Sequence, residues 1–89
     1  MEIFEIMDRE SSNKSEIYLY EENGKWVAYA QSAISLLRNC KDTLDLKKQL
    51  YSFYGALTEK VEVDLNQILD RNWFVALCSD TEIMLIQTN

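Results

Sequence analysis

Ile17-Tyr-Leu-Tyr-Glu-Glu22, Asn23-Gly24, Lys25-Trp-Val-Ala-Tyr-Ala30: this stretch reads as a β-hairpin, and the rest of the chain is arranged around it. Asparagine followed by glycine tolerates positive φ at both central positions of a two-residue type I′ turn, whose twist suits the flanking strands. That turn sets a register in which Glu22 faces Lys25, Glu21 faces Trp26, Tyr20 faces Val27, Leu19 faces Ala28 and Tyr18 faces Tyr29. One face then carries Ile17, Leu19, Trp26, Ala28 and Ala30. The other carries Tyr18, Tyr20, Val27 and Tyr29. Both faces are apolar or aromatic, so both call for a cover.

Upstream, Glu2 to Asp8 reads as a strand, although Ile3, Phe4, Ile6 and Met7 also satisfy a helical period. The polar run from Arg9 to Ser15 reads as a loop. After Ala30 the period changes. Ser32 is placed to cap a short helix containing Ala33, Ile34, Leu36 and Leu37 and ending near Asn39. Asp42 or Thr43 would cap a longer helix over 43–57, in which Leu46, Leu50, Phe53, Tyr54 and Leu57 form one stripe, with Gly55 in or after its last turn. Val61 and Val63 alternate with charges like a short edge strand, or continue a helix. Asp64 and Gln67 resemble a capping box opening a short helix with Leu65, Ile68 and Leu69. Trp73 to Cys78, a Ser-Asp-Thr-Glu turn and Ile83 to Ile86 form a second hairpin, whose nearly continuous apolar strands suit central or doubly covered positions. The expected architecture is therefore one α+β domain over 1–89. Two hairpins and an N-terminal strand, from the two chain ends, make an antiparallel sheet, with two to three central helices packed on one face.

Of the 89 residues, 47% are hydrophobic and 27% charged, enough apolar content for a single core. Nine basic residues stand against fifteen acidic ones, for a net charge of −6, which argues against nucleic acid or an anionic membrane surface as partner. The charge is unevenly spread: residues 1–22 carry seven acids and two bases, 23–60 six bases and three acids, and 61–89 five acids and one base. An acidic sheet and a mildly basic helical face follow if the ends form the sheet and the middle the helices. The N-terminus is acidic where a secretory leader would be basic, and Cys40 and Cys78 form no CxxC pair. A reduced, cytoplasmic protein without membrane anchorage is expected, which makes the Asn13-Lys14-Ser15 glycosylation sequon a chance match.

The chain has no histidine, which removes the commonest general base and metal ligand together. Neither Ser-His-Asp nor Cys-His catalysis can be assembled, and two cysteines plus carboxylates are a poor zinc set. Glycines only at 24 and 55 leave no phosphate loop or dinucleotide fingerprint. The carboxylate pairs Glu21/Glu22, Asp42/Asp45 and Glu62/Asp64 each have an ordinary structural explanation, as hairpin end, helix N-terminus and strand face. The expectation is a protein that is not an enzyme and carries no cofactor or metal. The leading reading is a small acidic protein-binding module of inhibitor, immunity or modulator type that meets another protein, possibly one with a basic surface. Its contact residues would be Tyr18, Tyr20, Glu21, Glu22 and Tyr29 of the first hairpin, since tyrosine is enriched at contact hot spots. The alternatives are a homo-oligomer, such as a homodimer associating through a sheet face or edge, and a small-ligand sensor.

Overall fold

The computed structural model describes residues 2–14, 16–40, 47–66 and 73–87. Their order is α1 (Ile3–Ser12), β1 (Ile17–Glu22), β2 (Lys25–Tyr29), α2 (Ala30–Cys40), β3 (Lys47–Phe53), β4 (Ala56–Val63), β5 (Trp73–Cys78) and β6 (Glu82–Gln87). The six strands form one antiparallel sheet in the order β3-β4-β2-β1-β6-β5. Among the described residues no helix is long and apolar enough to cross a membrane.

The first hairpin has the expected register, with Tyr20 opposite Val27, Glu21 opposite Trp26 and Glu22 opposite Lys25. Asn23 and Gly24 take the positive φ values, 53° and 81°, that a type I′ turn needs. The second hairpin also forms, but its first strand, β5, is an edge; only β6 lies inside the sheet, beside β1. A bulge between Val75 and Leu77 breaks its register.

Two regions depart from expectation. The N-terminal segment is a helix, running through Ser12, so that half of the expected loop is helical too. Ile3, Ile6, Met7 and Glu10 fall at i, i+3, i+4 and i+7, and Ile6 and Glu10 are buried. The Glu2 backbone N–H donates to Glu5 Oε1 (3.3 Å), closing the first turn. The larger correction concerns 43–57: residues 47–63 are a β-hairpin, β3–β4, and not the main helix. Tyr54 and Gly55, at φ 51° and 79°, form a second two-residue turn. Val61 and Val63 are in a strand, yet an inner one, since β4 pairs with both β3 and β2. Residues 65 and 66 have helical backbone, as the Asp64 reading requires, whereas Gln67 and the Asp42/Thr43 cap lie outside the described residues.

Consequently the helices do not share one face. Alternation along β1 and β2 sends Ile17, Leu19 and Ala28 to the side covered by α2, where they pack with Ala33, Leu36, Val61, Ile83 and Leu85. Tyr20, Val27 and Tyr29 point to the other side, where Ile3, Ile6 and Met7 of α1 cover them. The sheet therefore has a core on each face.

Chain entry into α2 is abrupt: Ala30, at φ 52°, turns β2 directly into the helix. Ser32 is not its outer cap but a buried residue of the first turn. The capping oxygen comes from α1. Glu10 Oε1 accepts the Ser32 backbone N–H (2.7 Å) and Oε2 accepts the Ser32 hydroxyl (2.6 Å). Ser32 Oγ in turn accepts the Tyr18 N–H (2.9 Å), and Asn13 Nδ2 donates to Glu10 Oε1 (3.2 Å). Burial pushes the Glu10 carboxyl above its ordinary value, although the bonds from Ser32 and Asn13 oppose this.

Replacing Ser32 with alanine strips the carboxylate of one donor and leaves the Tyr18 N–H without its acceptor. A loss of about 1–3 kcal/mol is expected by urea unfolding. Because folding raises the Glu10 pKa, the folded state binds the proton more tightly than the unfolded one. The stability contributed by this site is complete below the ordinary carboxyl value of 4.5 and declines as pH rises through the raised folded value. The stability difference between wild type and Glu10→Gln should therefore shrink across that window, as read by urea unfolding at stepped pH.

Candidate functional site

The first-hairpin residues expected to meet a partner are built into the molecule to different depths. Tyr20 and Tyr29 are buried, at 3% and 2% exposure, beneath α1, with ring centroids 6.3 Å apart. The cover that the sequence calls for on the tyrosine face is thus supplied by α1. Burial is the main reason both phenols titrate high: Tyr20 is pushed up to about 12, and Tyr29 is raised further by its bond to Glu22. Tyr18 is half-buried, its ring stacked beneath the Arg9 guanidinium at 4.6 Å. Arg9 also bonds Glu82 (2.7 Å) and Tyr20 Oη (3.4 Å), which fastens α1 to the sheet.

Both acids of the hairpin are engaged internally. Glu21 Oε2 accepts the Gly24 N–H (2.7 Å), bracing the turn. Glu22 accepts the Tyr29 hydroxyl and the Lys60 ammonium, the latter at 3.0 Å. Lys60 lies over the Tyr29 ring at 5.2 Å, and Tyr51 meets the same ring edge-on at 5.6 Å. The arrangement is a polar clamp over an aromatic layer, which holds β4 to β2 and β1.

The basic middle of the chain does not form the expected helical face, because its described lysines, 25, 47, 48 and 60, sit on strands and pair across the sheet. Lys47 and Lys25 reach Glu62 at 3.6 and 3.4 Å, and Lys48 reaches Glu59 at 3.4 Å. Glu2, Glu5 and Asp8, by contrast, are exposed along α1.

What the molecule does present is an apolar end around the β3–β4 turn. Tyr54 is 79% exposed and Phe4 56%. Phe4, Phe53 and Tyr54 form a three-ring cluster, with centroids 5.6 Å (Phe4–Phe53), 5.4 Å (Phe4–Tyr54) and 4.7 Å (Phe53–Tyr54) apart. Leu50 and Leu57 are exposed on the opposite side of the same hairpin. Between α1, α2 and β4 runs a groove of about 380 Å³ whose apolar lining includes Met7, Ile34 and Leu57. None of these residues was singled out from the sequence as a contact. The readable signal was Gly55, whose conformational freedom marks a turn as well as a helix end.

Compared with family models, curated proteins and solved structures, the chain matches none.

Because Tyr20 and Tyr29 serve as core, Tyr20→Ala and Tyr29→Ala should each cost about 3–5 kcal/mol in urea unfolding, the range for a buried aromatic. A loss below about 1 kcal/mol would place them at the surface.

Proposed function

We propose that this protein is a non-enzymatic, cytoplasmic binding module that occupies the surface of another protein, as inhibitors, immunity proteins and modulators do. The observation that carries this reading is the ring cluster in which exposed Phe4 and Tyr54 meet the half-buried Phe53. Tyr54 occupies a turn position at φ 51° that favours asparagine, aspartate or glycine, and there it holds its ring out in solvent. A left-handed backbone costs an ordinary residue roughly 1–2 kcal/mol, and such strain concentrates at working sites. Exposed tyrosine and phenylalanine flanked by charge is also the usual make-up of a contact centre and its rim.

The chemistry of the partner follows from what borders the rings. Asp8 lies one helical turn beyond Phe4, and Glu5 and Glu2 are exposed on the same helix. A partner surface with a few basic side chains around an apolar pocket is the complement, with the charges raising the association rate. The net charge of −6 favours a protein over nucleic acid in that role.

The test is capture from lysate by tagged wild type and by the Phe4→Gln/Tyr54→Asn double variant, at low and high salt, with melting curves of both. Asparagine suits the turn, so the variant should melt near wild type. A partner held by wild type should be lost or weakened by about 30-fold in the variant, the equivalent of a hot-spot loss of about 2 kcal/mol. Equal capture by both proteins, or no stoichiometric partner at all, would sink the proposal.

A further inference from the structure

Among the described residues no strand pairs with the outer side of β3, so that side is a sheet edge. Which backbone groups face outward follows from the turn. In a two-residue hairpin the flanking residues, here Phe53 and Ala56, exchange both hydrogen bonds, and bonded and non-bonded pairs then alternate along the strands. Tyr51 opposite Thr58 and Gln49 opposite Lys60 are then bonded pairs. Ser52, Leu50 and Lys48 consequently direct their N–H and C=O groups away from β4, to the open edge. All three side chains are exposed.

We infer that β3 is a self-pairing strand: two copies of this chain join antiparallel at β3, about a two-fold axis midway between their Leu50 residues, and continue one sheet across the dimer. The inference stands apart from the ring-cluster reading, since it rests on the edge and not on the turn.

Three features select a second copy as the occupant. The first is register. Centring on Leu50 pairs all seven residues of β3, with Leu50 opposite Leu50, Gln49 opposite Tyr51, Lys48 opposite Ser52 and Lys47 opposite Phe53. Lysine never faces lysine, whereas a register centred on Lys48 would set two ammonium groups against each other. The second is charge. Lysines commonly protect edges, but here Lys48 is paired with Glu59 and Lys47 shares Glu62 with Lys25 within the same chain, which lowers the repulsion toward a copy of itself. The third is the apolar surface. Leu50 and Leu57, 60% and 70% exposed, lie on the side where α2 packs on β1, β2 and β4. Across the axis the two copies bring their leucine pairs side by side, making one strip where each alone leaves an open patch.

Sedimentation equilibrium on the purified full chain, over a wide concentration range, tests this. Wild type should show a monomer–dimer equilibrium. Leu50→Lys places two like charges on the axis and should raise the dissociation constant by about tenfold or more, with unchanged monomer melting because the side chain is exposed. Ser52→Lys should also weaken the dimer, by opposing Lys48 of the other copy. Adding Lys48→Glu to Ser52→Lys turns both cross-axis pairs into opposite charges and should restore it. Wild type that stays monomeric throughout overturns the inference. So does a dimer indifferent to Leu50→Lys, which would have used another surface, and so does a failure of the charge exchange to restore association, which would exclude this register.

Discussion

The architecture depends on a single carboxylate. Glu10 reaches from α1 to the start of α2 and accepts the backbone and hydroxyl hydrogens of Ser32. A ten-residue helix is marginal on its own, so α1 needs tertiary anchors, and Glu10 with Arg9 supplies them at neighbouring positions facing different elements. The same bonds provide α2 with an anion near its positive end, where unpaired N–H groups otherwise point at nothing. Burying a carboxylate is costly, and the raised pKa of Glu10 records that cost. What the arrangement secures is coupling: the layer over one face of the sheet is tied to the layer over the other. With α1 in place Tyr20 and Tyr29 become core, and without it an aromatic face would be open to water.

This explains why the first hairpin was legible in the sequence while the element that covers its tyrosine face was not. Asn23-Gly24 dictates a local geometry that no distant residue needs to confirm, and the register followed directly. The two apolar faces were equally legible, as was the need for two covers. The identity of the second cover was hidden, because Ile3, Ile6 and Met7 fit either period over so short a span. The residue that decides for helix, Glu10, is polar and reads as part of a loop. Its value lies in Ser32, 22 positions away, which no local pattern displays.

The β3–β4 hairpin was misread for the converse reason. Leu46, Leu50, Phe53, Tyr54 and Leu57 fall at helical spacing, and a helical stripe is ordinarily a buried one. Here Leu50, Tyr54 and Leu57 are among the most exposed apolar side chains, so the inference from spacing to burial fails at its second step. The side-chain pairing between these strands is ionic and cross-strand, Lys47 with Glu62 and Lys48 with Glu59, and appears only once the strands are paired. The turn was masked as well. With tyrosine at its first position, Tyr54-Gly55 lacks the residue that made Asn23-Gly24 recognisable, although both turns have positive φ at both positions.

The distribution of misfits over the molecule is itself informative. Glu10, Ser32 and Ser35 are buried, whereas Phe4, Leu50, Tyr54 and Leu57 are in solvent. The buried polar groups at Glu10 and Ser32 are explained by the bonds they make to each other. Among the described residues these exposed apolar groups have no such account: exposure of any one is ordinary, but four of the six large apolar side chains in solvent gather on α1 and one hairpin, and one of them has an unfavourable backbone conformation. Sequences shaped by folding alone agree with local preference throughout, and departures concentrate where another demand acts. In this molecule the left-handed Ala30 serves the sharp entry into α2, whereas Phe4, Leu50, Tyr54 and Leu57 lie at the β3–β4 hairpin and on the helix that meets it. The first hairpin, with its acids spent on its own turn and on Lys60, obeys the rules of a core. On the proposed reading, the contact surface therefore lies at the β3 end of the sheet and not at its centre.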